Sequence, residues 1–197
     1  MSARLKDPTL IEIAYHEAGH AVVAWRKGAE PIELTIEPGE NYLGRLTRRD
    51  SLSDRGLDFK RRDEARDVMA MFSCAIGLAG PAGEREYWAK RGRDLPPPWK
   101  DRRLRDSQDH HHALSLAFAA TIKAEREHHS PLLAKVSRLQ AVRDYLEHAF
   151  IDAEAIVRRD WLYVNALAKT LVRDKTMSGA EILATFARVD EDRRDPE

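Results

Sequence analysis

Residues 15–21 read YHEAGHA, and this heptapeptide constrains the chain more than any other stretch. His16 and His20 stand four apart with Glu17 between them, the HExxH pattern. On an α-helix, positions i and i+4 share a face one turn apart, so both imidazoles can address one ion. The segment must therefore be helical for the pattern to have chemical meaning. Its flanks, LIEIAY before and AVVAW after, are apolar and helix-compatible. Asp7 is the expected N-cap, with Pro8 at the first helical position. Gly19 inside a helix costs about 1 kcal/mol relative to alanine, so a close neighbour, such as a strand or a substrate, should require it. Two helical histidines can ligate zinc, and Glu17 would then lie beside the metal as a base for its water. The plain alternative is two partly buried histidines on an amphipathic helix.

Composition narrows the remaining classes. The 197 residues carry 33 basic and 33 acidic side chains, for zero net charge, which is not the electrostatic footprint of a nucleic-acid binder. The basic clusters at 60–62 and 100–105 are interleaved with aspartate and read as solvated surface. The single cysteine, Cys74, excludes an intrachain disulfide and a cysteine-based zinc cage, and it reads as a small core residue. The N-terminus lacks the apolar core of a signal peptide. The least polar stretch, 68–83, is too short to span a bilayer. A soluble cytoplasmic protein without a membrane segment is expected.

Periodicity along the chain predicts a mostly α fold with a small β-sheet or hairpin. The first helix covers about 8–27 and ends near Gly28. Ile32, Leu34 and Ile36 alternate with Glu33, Thr35 and Glu37, as in a half-buried strand closed by Pro38-Gly39. A second extended stretch over 42–47 completes a hairpin, and a polar loop follows to about residue 60. In the next helix, about 62–79, Ala65, Val68, Met69, Phe72, Ile76 and Ala79 recur at helical spacing. Gly80-Pro81 should interrupt it before a further turn or two. Three prolines make 92–106 a loop. Helices are expected at about 107–128, 131–150 and 152–174. A short one should open at Ser178, where Ser178 and Glu181 form a capping-box pattern. The tail from Val189 onward reads as frayed. Trp25, Trp88, Trp99 and Trp161 read as packing residues.

Two histidines leave a third protein ligand to find. The segment RDSQDHHHALSLA offers Asp106, Asp109, His110, His111 and His112, and Glu84 and Glu86 lie on the preceding helix. Chemistry alone leaves these alternatives open. Successive residues of the His110–His112 triplet point in different directions, so at most one or two could reach a metal. His128-His129 falls at a helix C-terminus, where histidine suits the dipole without a ligand role.

IAYHEAGHAVVAW closely resembles the active-site helix of the peptidase domain of FtsH-type AAA proteases. In the same order, LTIEPGENYLGRLT is similar to that family's strand segment, with Arg45 where an aromatic residue is usual. LAGPAGERE resembles its LAGRAAE helix, with Pro81 and Gly83 departing from it. DSQDHHHAL resembles the SNDLxxAT segment, and ALAKTLVRDKTMSGAEI the C-terminal helices. The resemblance spans about 8–187, and the first motif is the specific one. It implies a zincin-like HExxH helix and an α-helical C-terminal part. The whole would form a single FtsH-peptidase-like domain over 1–197, with the zinc-site part and small sheet in about 1–130 and a helical part in about 131–190.

The same resemblance makes Asp109 the third zinc ligand beside His16 and His20, with Gln108 where the family has Asn. It implies a zinc metalloendopeptidase, with Glu17 as general base and a polypeptide substrate. The strand over 42–47 could bind an extended peptide along a sheet edge, or be an ordinary hairpin packed on the helices. No Walker A sequence or AAA module occurs in these residues, so the expectation is a peptidase-like domain standing alone. Further copies of the chain in a homo-oligomer, and a separate ATPase, are the partners to look for. Two other functions remain to be tested. One is a non-proteolytic zinc-containing regulatory or binding module, and the other is a hydrolase of non-peptide amides.

Overall fold

A computed structural model describes residues 8–49, 64–96, 100, 107–121 and 131–194, without the side chains of 64–67 and 131–134. The elements in chain order are α1 Leu10–Arg26, β1 Glu30–Thr35, β2 Arg45–Arg49, α2 Glu64–Ala89, α3 Gln108–Ala120, α4 Pro131–Arg159, α5 Trp161–Asp174, β3 Thr176–Ser178 and α6 Gly179–Arg194. The mostly helical fold with a small sheet agrees with the sequence reading.

α1 is the central element, and α2, α5 and β1 all pack on it. Its cap differs from the expected Asp7-Pro8 start, since the N-cap is Thr9. The Thr9 hydroxyl accepts the Glu12 backbone N–H, and the Glu12 carboxylate accepts the Thr9 backbone N–H at 2.7 Å. This is a capping box, in which two otherwise orphaned donors are satisfied reciprocally. Asp7 lies outside the described residues. The helix closes at Gly28, whose φ of +84° suits glycine, and the Ala29 N–H reaches back to the Ala24 carbonyl. Between these ends Ala14, Tyr15 and every residue from Glu17 to Ala24 are buried.

α2 crosses α1 at backbone contact. A Cβ added at Gly19 would lie 2.4 Å from the Ala79 carbonyl oxygen, and one at Gly83 would lie 2.3 Å from that of Tyr15. The close neighbour that Gly19 requires is thus a helix, neither a strand nor a substrate. α2 also runs straight through Gly80-Pro81, where the sequence predicts an interruption. An interior proline costs about 3 kcal/mol. Leu78 and Ile76 before it and Tyr87 after it are all buried on the same helix, and each large apolar side chain returns about 1.5–3 kcal/mol. Burial of both halves therefore outweighs the missing hydrogen bond. Val68, expected on the core face, is exposed.

The sheet is antiparallel throughout, in the order β2-β1-β3. Leu34 pairs with Leu46 on one side and Met177 on the other. The expected hairpin is present, with β2 beginning at Arg45. A register shift between Pro31 and Glu33 breaks the strict alternation. Leu34 and Ile36 are buried as predicted, but Ile32 is 43% exposed. An extra residue in one strand turns the side chains beyond it to the opposite face. β3, only three residues long, has no periodicity to read in advance.

The expected break near residue 151 is absent, and α4 continues to Arg159. Ala149, Phe150, Ala153, Ile156 and Val157 keep one face buried across that point. The break falls at Asp160, which is buried and accepts Arg26 through Nε and Nη2, both at 2.9 Å. Ser178 and Glu181 form the predicted capping box. The helix they open is long, not short. It reaches Arg194, with Val189 buried and the Tyr163 hydroxyl donating to Asp190, so the tail is ordered where it was expected to fray. Residues 195–197 lie outside the described set.

Trp25 stacks on Phe186, Trp161 stacks on Tyr15, and Trp88 donates to Glu12, as packing residues would. Cys74 is fully buried, and desolvation pushes its thiol up to about 12, as suits an inert core residue. Trp99, the His128-His129 pair, the cluster at 60–62 and most of the proline loop lie outside the described residues. Among those residues, no helix is long and apolar enough to cross a membrane.

Candidate metal centre

His16 and His20 project from α1 toward the first turn of α3, where Ser107 caps the helix by accepting the His110 backbone N–H. Asp109 sits in that first turn, a position that complements the helix dipole. Its Oδ2 lies 3.1 Å from His16 Nε2 and 3.4 Å from His20 Nε2. The three ligand atoms all fall within 4.8 Å of one another, a grouping that could hold a metal ion.

The opposite ring nitrogens are engaged as well. His20 Nδ1 is 2.6 Å from the Ile76 carbonyl oxygen, which can only accept, so Nδ1 carries the proton. His16 Nδ1 is 2.6 Å from Glu84 Oε1. With both Nδ1–H groups donated outward, a neutral ring presents its Nε2 lone pair toward Asp109. Three acceptor atoms then converge and repel one another unless a proton or a cation lies between them. In the metal-free protein a proton meets that need. Burial alone would lower the His16 pKa, but hydrogen bonds to Asp109 and Glu84 and the charges of Glu84 and Glu17 raise it well above the ordinary value. Burial likewise tends to raise Asp109, yet the two histidines hold it far below the usual carboxylate range.

The donor set therefore fits a divalent metal by its own chemistry. Two imidazole nitrogens and one carboxylate oxygen leave a further coordination position for a non-protein ligand. Each imidazole also has the outward partner that orients metal-binding histidines.

Two glycines make room for this arrangement. A Cβ at Gly80 would lie 2.3 Å from His16 Nε2, so α2 passes directly behind the ring. Glu84 follows one turn later on α2, which places its carboxylate at Nδ1. Gly44, just before β2, packs on Glu17, where a Cβ would lie 2.7 Å from both Cγ and Oε1. Glu17 is buried, and desolvation, opposed in part by His20 and His16, raises its pKa. His16, Glu17, His20, Gly44, Glu84 and Asp109 line one open cleft of about 820 Å³ between α1, the β1–β2 connection and the start of α3.

The structure thus brings together His16, Glu17, His20 and Asp109. Of the other candidates for third ligand, Glu84 is in the site but on the far side of His16, and Glu86 pairs instead with Lys90 and Arg158. His110 is buried beside the site without joining the trio, His111 is exposed, and His112 reaches only the cleft wall. Asp106 lies outside the described residues. Sequence reasoning missed the parts played by Gly44, Gly80 and the Ile76 carbonyl. The recurrence of glycine at 77, 80 and 83 is the one signal that α2 approaches a neighbour closely. No model of a known protein family matches the chain, and no curated protein matches it.

Proposed function

We propose that the chain is a zinc-dependent metalloendopeptidase acting on unfolded or flexible polypeptides. The reading rests on one observation above all. A buried carboxylate, Glu17, opens onto the same cleft as three converging metal-ligand atoms, and a purely structural site has no use for that base. The resemblance of YHEAGHA and its following segments to FtsH-type peptidase domains supports the same reading, including a zincin-like helix.

Zinc held by His16, His20 and Asp109 would polarise the scissile carbonyl and acidify the attacking water. Glu84 and the Ile76 carbonyl keep the two imidazoles oriented. Glu17 takes a proton from the water as its oxygen bonds to the carbonyl carbon. It then returns the proton to the leaving nitrogen as the C–N bond breaks. Its raised pKa suits both steps, because a carboxylate nearer neutrality is the better proton acceptor and its acid form remains a competent donor. β2 is one of the two outer strands of the sheet among the described residues, so an extended substrate can pair along it beside Gly44. The same resemblance suggests assembly into a homo-oligomer and delivery of substrates by a separate ATPase.

Metal analysis combined with casein hydrolysis by wild type and Glu17→Gln tests the reading. One zinc per chain in both, with hydrolysis reduced about 10²–10⁴-fold only in the variant, is the expected result. Bound zinc without hydrolysis of any unfolded substrate by wild type would instead identify a non-proteolytic zinc module.

A further inference from the structure

His112 lies three residues after Asp109 on α3, so the two share a helix face with their Cβ atoms about 5–6 Å apart. Helical side chains lean toward the N-terminus, which carries the His112 imidazole back over the turn that holds Asp109. The ring lines the cleft and rests against α2. A Cβ added at Gly77 would lie 4.0 Å from its Cδ2 and 3.4 Å from the Asp109 carbonyl oxygen. The residue before Gly77 is Ile76, whose carbonyl orients His20. Glu17 meets the same cleft from another wall, packed on Gly44. His112 is exposed, and among the described residues its ring makes no hydrogen bond or ion pair. The arginines of the cleft are engaged elsewhere, Arg45 with Glu33 at 3.3 Å and Arg48 in an interaction of its own. The carboxylates of Glu17, Glu40, Glu84 and Asp109 also line the cleft and, when ionised, repel negative charge.

We propose that His112 is a second catalytic residue, whose ring N–H donates to the carbonyl oxygen of the scissile amide as that oxygen becomes an alkoxide. This inference rests on the peptidase reading of the site and adds a protein group that holds the developing charge. As water adds to the carbonyl carbon, Glu17 takes its proton and the π electrons of the C=O bond move onto oxygen. The surrounding carboxylates oppose that charge, so a donor aimed at the oxygen matters more here than in water. Imidazole offers an N–H in either neutral tautomer and two when charged, so His112 has a donor whatever its protonation state. When the C–N bond breaks and Glu17 returns the proton to nitrogen, the electron pair on oxygen re-forms C=O and the hydrogen bond weakens. A donor that strengthens only during the reaction lowers the barrier without tightening substrate binding. His111, one position earlier, points another way and does not line the cleft, so it serves as the control.

The test combines peptide hydrolysis by the zinc-loaded full chain with binding of a phosphinic peptide, whose tetrahedral anionic centre copies the alkoxide. His112→Ala should lower kcat about 100-fold with KM little changed. His112→Gln keeps an N–H donor and should recover part of that loss, and His111→Ala should behave as wild type. The phosphinic peptide should bind His112→Ala about 100-fold more weakly than wild type. An amide peptide of the same sequence should bind zinc-loaded Glu17→Gln equally with and without His112→Ala. Zinc affinity should be the same in all of these proteins. Hydrolysis indifferent to His112, a loss carried by KM rather than kcat, or loss of zinc from His112→Ala would overturn the inference and leave the peptidase reading standing. Binding of the phosphinic peptide that depends on His112, without hydrolysis by wild type, would keep His112 as the donor and remove the peptidase. Neither hydrolysis nor that dependence would remove both.

Discussion

Asp109 and Asp160 both meet side chains of α1, one near its middle and one at its last turn, and both are held below the usual carboxylate range. Their company differs. Burial works against the charge of Asp160, but it accepts both donors of Arg26 at 2.9 Å and two more from Arg159 at 2.6 and 3.1 Å. Guanidinium is cationic at any pH a protein meets, so this cluster is electrically complete with what the chain supplies. Asp109 faces two imidazoles whose Nδ1 atoms are committed to Glu84 and the Ile76 carbonyl. Its cation has to come from solvent, as a proton or as a metal. A carboxylate paired with permanent charges fixes a helix break, whereas one paired with conditional charges makes a site.

Exchanging the two roles gives the largest expected effects. Asp109→Ala should weaken zinc binding by more than about 100-fold, beyond what loss of an outer partner costs. It should change the stability of the metal-free protein by no more than about 1 kcal/mol, since that carboxylate is partly exposed. Asp160→Ala should do the reverse, costing about 3 kcal/mol in urea denaturation while zinc affinity stays put. If Asp160→Ala releases zinc or Asp109→Ala unfolds the protein, the division between structure and site is wrong.

The comparison also has a pH signature. Asp160 has a native pKa below its unfolded value of about 3.9, so its stabilisation is fully present above that value. It is lost as pH falls through the native pKa. The stability gap between wild type and Asp160→Ala should therefore be constant from about pH 5 upward and narrow below about pH 4. A gap that persists unchanged to pH 2 would mean that Asp160 acts through packing rather than charge.

Glu84→Gln sharpens the site side of the comparison. The amide can still accept from His16 Nδ1 but carries no charge, so the imidazole loses part of its basicity. A 10- to 100-fold loss of zinc affinity is expected, with the fold intact by circular dichroism. Unchanged affinity would reduce Glu84 to a packing residue.

What the sequence made legible follows the range of the interaction that decides each feature. HExxH is local to one helical turn, and the capping box at Ser178 reaches only to Glu181, three positions on, so both could be read directly. Thr9-Leu-Ile-Glu12 carries the same capping signal, but Asp7-Pro8 competed with it. The continuity of α2 through Pro81 depends on α1 lying against both halves, a contact between residues some sixty positions apart. The run of α4 to Arg159 depends on a buried face, and its end depends on Arg26, far upstream. Ile32 follows the alternation perfectly in sequence and fails because of a bulge, which depends on pairing with a strand not yet formed. At the site, the histidine spacing was readable, while the choice of Asp109 over its neighbours needed a resemblance. Geometry alone assigned Glu84 to the outer face of His16.

The smallest effect expected at the site concerns Gly44. A methyl there would lie 2.7 Å from Glu17 Cγ and Oε1, and the strand backbone is less free to move than the end of a glutamate. Gly44→Ala should therefore displace the Glu17 carboxylate while His16, His20 and Asp109 keep their places. Zinc content and affinity should match wild type, and kcat for the proposed hydrolysis should fall about ten-fold with KM little changed, as misplacement of the proposed base predicts. Loss of zinc in this variant would show that the β1–β2 connection supports the histidines themselves. The line between the residues proposed to hold the metal and the residue proposed to move the proton would then have to be redrawn.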